Sequence, residues 1–137
     1  MKVGAKVLAA LMVIALMLCG CGDVSGVKIN YGQSDIYTRE DMDAAIDKIK
    51  NEFRTWEGCK LYTIDYAGDE RSMGELDYVN DLDENADFVE CIVFESSFHT
   101  PIDGGSGFNS DETYTGWSWY LARSSGGEWV LLTWGYA

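Results

Sequence analysis

Tyr37-Thr38-Arg39-Glu40-Asp41-Met42-Asp43-Ala44-Ala45-Ile46-Asp47-Lys48-Ile49-Lys50-Asn51-Glu52-Phe53 is the stretch from which the fold can be read. Met42, Ala45, Ile46, Ile49 and Phe53 recur at helical spacing and make one apolar face. Thr38 stands where an N-cap hydroxyl is needed, and Asp41 three residues on completes a capping box with Asp in place of Glu. Tyr37 and Met42 take the positions of a hydrophobic staple. Glu40, Asp41 and Asp43 come early and Lys48, Lys50 and Arg54 late, which suits the helix dipole. The pattern predicts a helix ending near residues 56–58, and its single apolar stripe demands a sheet to bury it.

The sheet follows. In residues 59–66, Leu61, Thr63 and Asp65 alternate with Tyr62, Ile64 and Tyr66. Residues 68–87 are polar and mostly acidic; Leu76, Tyr78, Val79 and Leu82 there form either a short helical turn or an irregular cover over the sheet. Residues 88–98 read as a longer strand, with Phe88, Glu90, Ile92, Phe94, Ser96 and Phe98 on one face and Val89, Cys91, Val93 and Glu95 on the other. Residues 101–111 are loop, rich in glycine at 104–107. Residues 114–123 and 128–136 make a hairpin turned at 124–127. Trp117, Trp119 and Leu121 share a face of its first arm; Val130, Leu132 and Trp134 share a face of its second, with Trp129 and Leu131 opposite.

The expected fold class is therefore α+β: one N-terminal helix packed on a four-stranded antiparallel meander. That order, over about residues 36–136, resembles the cystatin-like fold, which includes the nuclear-transport-factor-like domains. The phrases Gly58-Cys59-Lys60-Leu61, Ser96-Ser97-Phe98, Gly126-Gly127-Glu128-Trp129 and Thr133-Trp134-Gly135-Tyr136 resemble small lipoproteins of gut clostridia and their relatives. The resemblance implies a cone-shaped domain in the cell envelope and no particular activity. The cystatin inhibitory pattern Gln-x-Val-x-Gly is absent from the sequence, so protease inhibition has no support.

The N-terminal end agrees with such a compartment. Lys2 and Lys6 precede an uncharged apolar run over residues 7–18, too short for a bilayer-spanning helix of roughly 20 residues. A positive start and a short apolar core describe a secretory leader. Leu18-Cys19-Gly20-Cys21 at its end resembles the lipobox of bacterial lipoproteins. The resemblance implies cleavage between Gly20 and Cys21 and a thioether-linked diacylglycerol on Cys21. Cys19 does not qualify, because Leu18 before it is not small. Two or more acyl chains anchor a protein stably where one is marginal. Residues 1–20 are thus expected to be a lipoprotein signal peptide. Residues 21–35, with Gly22, Gly26 and Gly32, are expected to be the lipidated cysteine and a flexible tether spanning on the order of 20 Å. Residues 36–137 are expected to be one domain.

The charge narrows the partners. The chain carries a net charge of −13, and Lys2 and Lys6 are the only charges before Cys21, so residues 21–137 carry −15. Such a balance disfavours nucleic acid and anionic headgroups. Five Trp and eight Tyr argue for a packed core.

The remaining residues offer few groups for chemistry. Cys59 and Cys91 either bridge after export or stay as free thiols; the mid-strand place of Cys91 favours free thiols. A Cys91–His99 dyad fails, because eight strand residues separate the two by about 26 Å. His99 is the only histidine, so any Ser-His-Asp triad must run through it; Ser97, Thr100 and Asp103 are its sequence neighbours. A solvent-facing side chain is the simpler reading. No His/Cys spacing suits zinc. Residues 81–85 begin like a calcium loop, but Ala86 and Ile92 stand where Gly and Glu are needed. No cofactor or metal is called for. In cystatin-like enzymes the site lies between helix and concave sheet. Tyr62, Tyr66, Trp117, Trp119, Trp129 and Trp134 are the aromatic residues for such a ligand pocket, with Asp65 or Glu90 as candidate catalytic acids of raised pKa. The same rings serve equally as plain core.

Two functions stay open. The first is a lipid-anchored, extracytoplasmic binding or interaction domain on the outer face of the cell membrane. It would take a protein or small-molecule partner and no nucleic acid. The alternative is a small-molecule isomerase or hydratase using an acid in an aromatic pocket. No spacing assembles an acid–base pair or a nucleophile, so the binding reading leads.

Overall fold

The computed structural model describes residues 21–105 and 107–136. The expected leader, 1–20, lies outside the described residues. The elements are β1 (Lys28–Asn30), α1 (Arg39–Phe53), β2 (Lys60–Tyr66), α2 (Asp69–Gly74), α3 (Leu76–Asp81), β3 (Glu90–His99), β4 (Thr113–Arg123) and β5 (Val130–Gly135). They form one five-stranded sheet in the order β1-β2-β3-β4-β5. β1 runs parallel to β2, and every other neighbouring pair is antiparallel.

This corrects the expected one helix on a four-stranded antiparallel meander: the sheet is five-stranded and mixed, and helices lie on both of its faces. The additional strand comes from the segment expected to be a tether. Lys28, Ile29 and Asn30 pair with Thr63, Ile64 and Asp65. Parallel neighbours need a long crossover, and α1 supplies it, so β1-α1-β2 is a single βαβ unit. The chain is fastened before β1 as well. Gly22 N–H donates to Arg54 O (2.9 Å), Asp23 N–H to Cys59 O (2.8 Å), and Leu61 N–H to Asp23 O (2.9 Å). Val24, Val27, Ile29 and Tyr31 pack on the main core. Residues 22–31 therefore belong to the domain.

α1 keeps the cap its sequence announces. Thr38 Oγ1 accepts from Asp41 N–H (3.1 Å), and Asp41 Oδ2 accepts from Thr38 N–H (3.0 Å). Met42, Ala45, Ile46, Ile49 and Phe53 are all buried. Each large member of that stripe contributes about 1.5–3 kcal/mol of apolar burial. They meet Leu61 and Ile64 of β2, Ile92, Phe94 and Phe98 of β3, and Trp119 and Leu121 of β4.

Alternate residues of the same strands face a second core. Cys91 and Val93 of β3 and Tyr120 and Ala122 of β4 pack with Val79 of α3 and, at the margin, Leu76, Phe88 and Leu132. Here α2 and α3 cover the sheet. Ser72 is fully buried, and its hydroxyl accepts from Val93 N–H at 3.0 Å. A side chain thus partners a strand amide where β2 has already ended.

A β-bulge changes one expected face. Tyr120 pairs with Thr133 and Leu121 with Leu131, leaving Leu132 as the extra residue. Two residues then oppose one, and the alternation restarts. Leu131 packs on the α1-side core and Leu132 on the other. Trp134 returns to the α1 side, against Trp119 (5.7 Å) and Trp56 (6.0 Å). Val130, Leu132 and Trp134 therefore do not share a face.

Candidate functional site

The interior beneath α1 is filled by rings. Trp56 stacks on Trp119 with centroids 5.1 Å apart and planes at 20°. Phe98 lies parallel to Tyr114 at 5.0 Å and edge-on to Phe53 and Trp117. Phe108, from the long loop, closes against Trp56, Phe98 and Trp117. Four clefts of the described surface are lined by no α1 residue and open outward.

Of the six aromatic residues expected around a common pocket, Trp117, Trp119 and Trp134 gather around Trp56, and Tyr62, Tyr66 and Trp129 lie elsewhere. Trp119 is fully buried and donates from Nε1 to Ser96 Oγ at 2.8 Å. Trp129 is buried, donates from Nε1 to Asp41 O at 3.0 Å, and lies under the Arg123 guanidinium. Trp117 is half-buried, and its Nε1 is the one buried side-chain polar atom without a hydrogen-bond partner among the described residues. Tyr66 packs at the core margin and donates to Asp69 Oδ1 at 2.6 Å. Burial and that carboxylate push its phenol up to about 12. Tyr62 is exposed and stacks beside His99. Trp134 is exposed at the sheet margin.

Neither candidate acid enters an aromatic pocket. Glu90 Oε2 accepts from Arg123 Nε at 2.5 Å. Asp65 is half-buried and lies opposite Glu95 in register. The paired acid–pocket geometry that an isomerase or hydratase requires is not assembled by these residues.

Polar clusters the sequence reading missed join the helices and the 31–38 segment to the sheet. Arg71 of α2 pairs with Glu95 and donates from Nη2 to Ser118 Oγ (3.0 Å) and Tyr120 Oη (3.1 Å). Arg123 joins Glu90 to Asp41. Asp69 accepts from Ser34 Oγ (2.5 Å), Tyr66 Oη and Asp35 N–H (2.8 Å), which hold its carboxyl below the usual carboxylate range. Apart from Tyr66–Asp69, these joins link residues 24 to 82 positions apart, so no local spacing could announce them.

His99 does acquire an acid and a hydroxyl, though not from its sequence neighbours. Nδ1 lies 2.8 Å from Thr113 Oγ1, and Nε2 lies 2.7 Å from Asp111 Oδ1. Asp103, four residues on in sequence, is not its partner. Both ring nitrogens are engaged by the protein. The cluster ties the ends of the 100–112 loop to β3 and β4, with Asp111 in the left-handed region at φ 49°.

Cys59 and Cys91 are buried free thiols in separate cores, the first under α1 and the second under α3. Burial raises both thiols, Cys91 to about 12. Cys21 is exposed, and Gly22 next to it is buried. A Cβ at Gly22 would lie 2.0 Å from Phe53 O. Among the described residues no group of three or more His, Cys, Asp or Glu side chains is placed to hold a metal ion, and no helix is long and apolar enough to cross a membrane.

No protein-family model matches this chain, and no curated protein or solved structure is significantly similar to it.

Proposed function

We propose that the chain is a lipid-anchored interaction domain on the outer face of a bacterial cell membrane, attached through Cys21. The observation that carries the reading is the meeting of the lipobox-like Leu18-Cys19-Gly20-Cys21 with the start of the fold. Cys21 is exposed, and the very next residue is built into the domain through Arg54 O and the crowded backbone at Phe53. Acyl chains on Cys21 would leave the domain without disturbing its core. The ring-filled interior supports binding at the surface over chemistry in a cone. The same fastening makes the domain sit close to the bilayer, at the end of the molecule where α1 finishes and β2 begins.

The test is metabolic labelling of the full chain, native leader included, in a bacterium that processes lipoproteins. An alkynyl fatty acid should label the wild type and leave Cys21→Ala unlabelled. Extracellular protease should reach the labelled protein in intact cells stripped of their wall. Label retained in Cys21→Ala, or a wild type without label, would overturn the proposal.

A further inference from the structure

β5 is the last strand of the sheet, and only one of its edges is used. Val130, Leu131, Thr133, Trp134 and Gly135 pair inward with β4. Among the described residues no other hydrogen bond reaches the backbone of residues 130–135. An open strand edge is a template for pairing, and proteins usually blunt it with charge, proline or brevity. β1, at the opposite edge, is blunted: three residues, one of them Lys28. β5 has six residues, Val130-Leu131-Leu132-Thr133-Trp134-Gly135, with no charge and no proline. The Leu132 bulge, which adds local twist, is the one blunting device β5 carries.

Beside that edge runs a groove of about 340 Å³ between α3 and β5, lined by Glu75, Tyr78, Tyr120, Trp134 and Tyr136 among others. Tyr78, Trp134 and Tyr136 are exposed large aromatics. The local charge is negative: Glu75 lines the groove and Glu112 lies near Tyr136. The cations nearby are engaged, Lys48 facing Glu128 at 3.9 Å and Arg71 held by Glu95. A second copy of the chain would bring another large negative charge to the same edge.

We infer that the outer edge of β5 and its aromatic groove dock an extended, cationic polypeptide segment, which adds to the sheet as a sixth strand. Backbone pairing supplies the affinity and side chains the selectivity. A partner of about six residues spans the available edge at about 3.4 Å per residue. Its Lys or Arg side chains, sharing one face of the strand, meet Glu75 and Tyr78 on the α3 side, and its alternate apolar residues lie beside Trp134 on the α1 side. The inference rests on the interaction-domain reading for its purpose and on the strand edge for its site.

The test uses the full-length processed protein in phosphatidylcholine nanodiscs and three synthetic peptides of about eight residues. One alternates lysine with valine and threonine. The second replaces lysine by glutamate. The third is the lysine peptide N-methylated at alternate amides. The lysine peptide should slow hydrogen exchange of the Val130–Gly135 amides saturably. The N-methylated form should bind about tenfold more weakly or not at all, since the strand hydrogen bonds are lost. The glutamate peptide should not bind. Glu75→Lys should weaken the lysine peptide about threefold, as a surface charge contact does. Val130→Lys, at an exposed position, should weaken it further. Equal binding of lysine and glutamate peptides, or protection outside β5, would overturn the inference. So would β5 protection that rises with protein concentration in step with dimer on sedimentation, which would assign the edge to a second copy. The intact mass of the same sample reports acylation separately, so a failed docking site and a failed anchor are told apart.

Discussion

Thr38 and Asp41 show how much one pair of residues can fix. Their reciprocal hydrogen bonds start α1; the Asp41 carboxylate also accepts from Arg123 Nη1 at 3.1 Å, and its carbonyl from Trp129 Nε1 at 3.0 Å. Thr38→Ala should lower stability by about 1 kcal/mol in urea unfolding, the usual cost of a lost N-cap. The Thr38 N–H, with Arg123 assisting, holds the Asp41 carboxyl below its usual 3.8. The unfolded chain then takes up its proton first on acidification. The stabilisation is fully present above about pH 4 and is lost as pH falls through the folded value. Asp69, held down by Ser34 and Tyr66, acts in the same sense. Wild type should therefore lose stability below about pH 4, and Asp41→Asn should flatten that slope while lowering stability at neutral pH. A match between the two slopes would contradict the assignment. Gly22→Ala should cost about 1–3 kcal/mol, because the new methyl meets Phe53 O. Gly26→Ala, with nothing within 4 Å, is the control and should stay near wild type. The cap was legible because its residues are three apart. The Arg123 contact was not, because it spans 82 positions.

At the scale of elements, the long pieces were readable and the short ones were not. α1, β2, β3 and the β4–β5 hairpin each carry enough alternation or helical period to declare themselves. β1 offers one apolar residue, Ile29, between Lys28 and Asn30. Its strand character comes from β2 and from the α1 crossover, so glycines around it read as a tether. α2 and α3 are six residues each, and only Val79 and Ser72 are deeply buried there. Their role is nonetheless structural. Ser72→Ala should remove the acceptor for Val93 N–H and cost about 1–3 kcal/mol, read by chemical denaturation. Ile46→Ala, in the larger core, should cost about 2–5 kcal/mol. If Ser72→Ala were neutral, the second face of the sheet would not depend on α2. The candidate site suffered from the Leu132 bulge and from packing. Period-2 reading could place Trp117 and Trp119 together, but it could not show that Trp56 and Phe108 fill the space between them.

The whole molecule is an acidic three-layer domain whose polypeptide is fastened from its first described turn. Cys21, the end of α1 and the start of β2 lie at one end, and the β4–β5 turn with Arg123 lies at the other. Anchored through Cys21, the domain would stand on the former end, with the β5 edge running away from the bilayer. Its charge would keep it off anionic headgroups except where acyl chains hold it. The account stands or falls on that attachment, and the intact mass of the native protein purified from membranes measures it directly. The expected mass is that of a chain beginning at residue 21, heavier than its sequence by a diacylglyceryl group. A mass that still includes Met1, or one showing an unmodified thiol on Cys21, would contradict it.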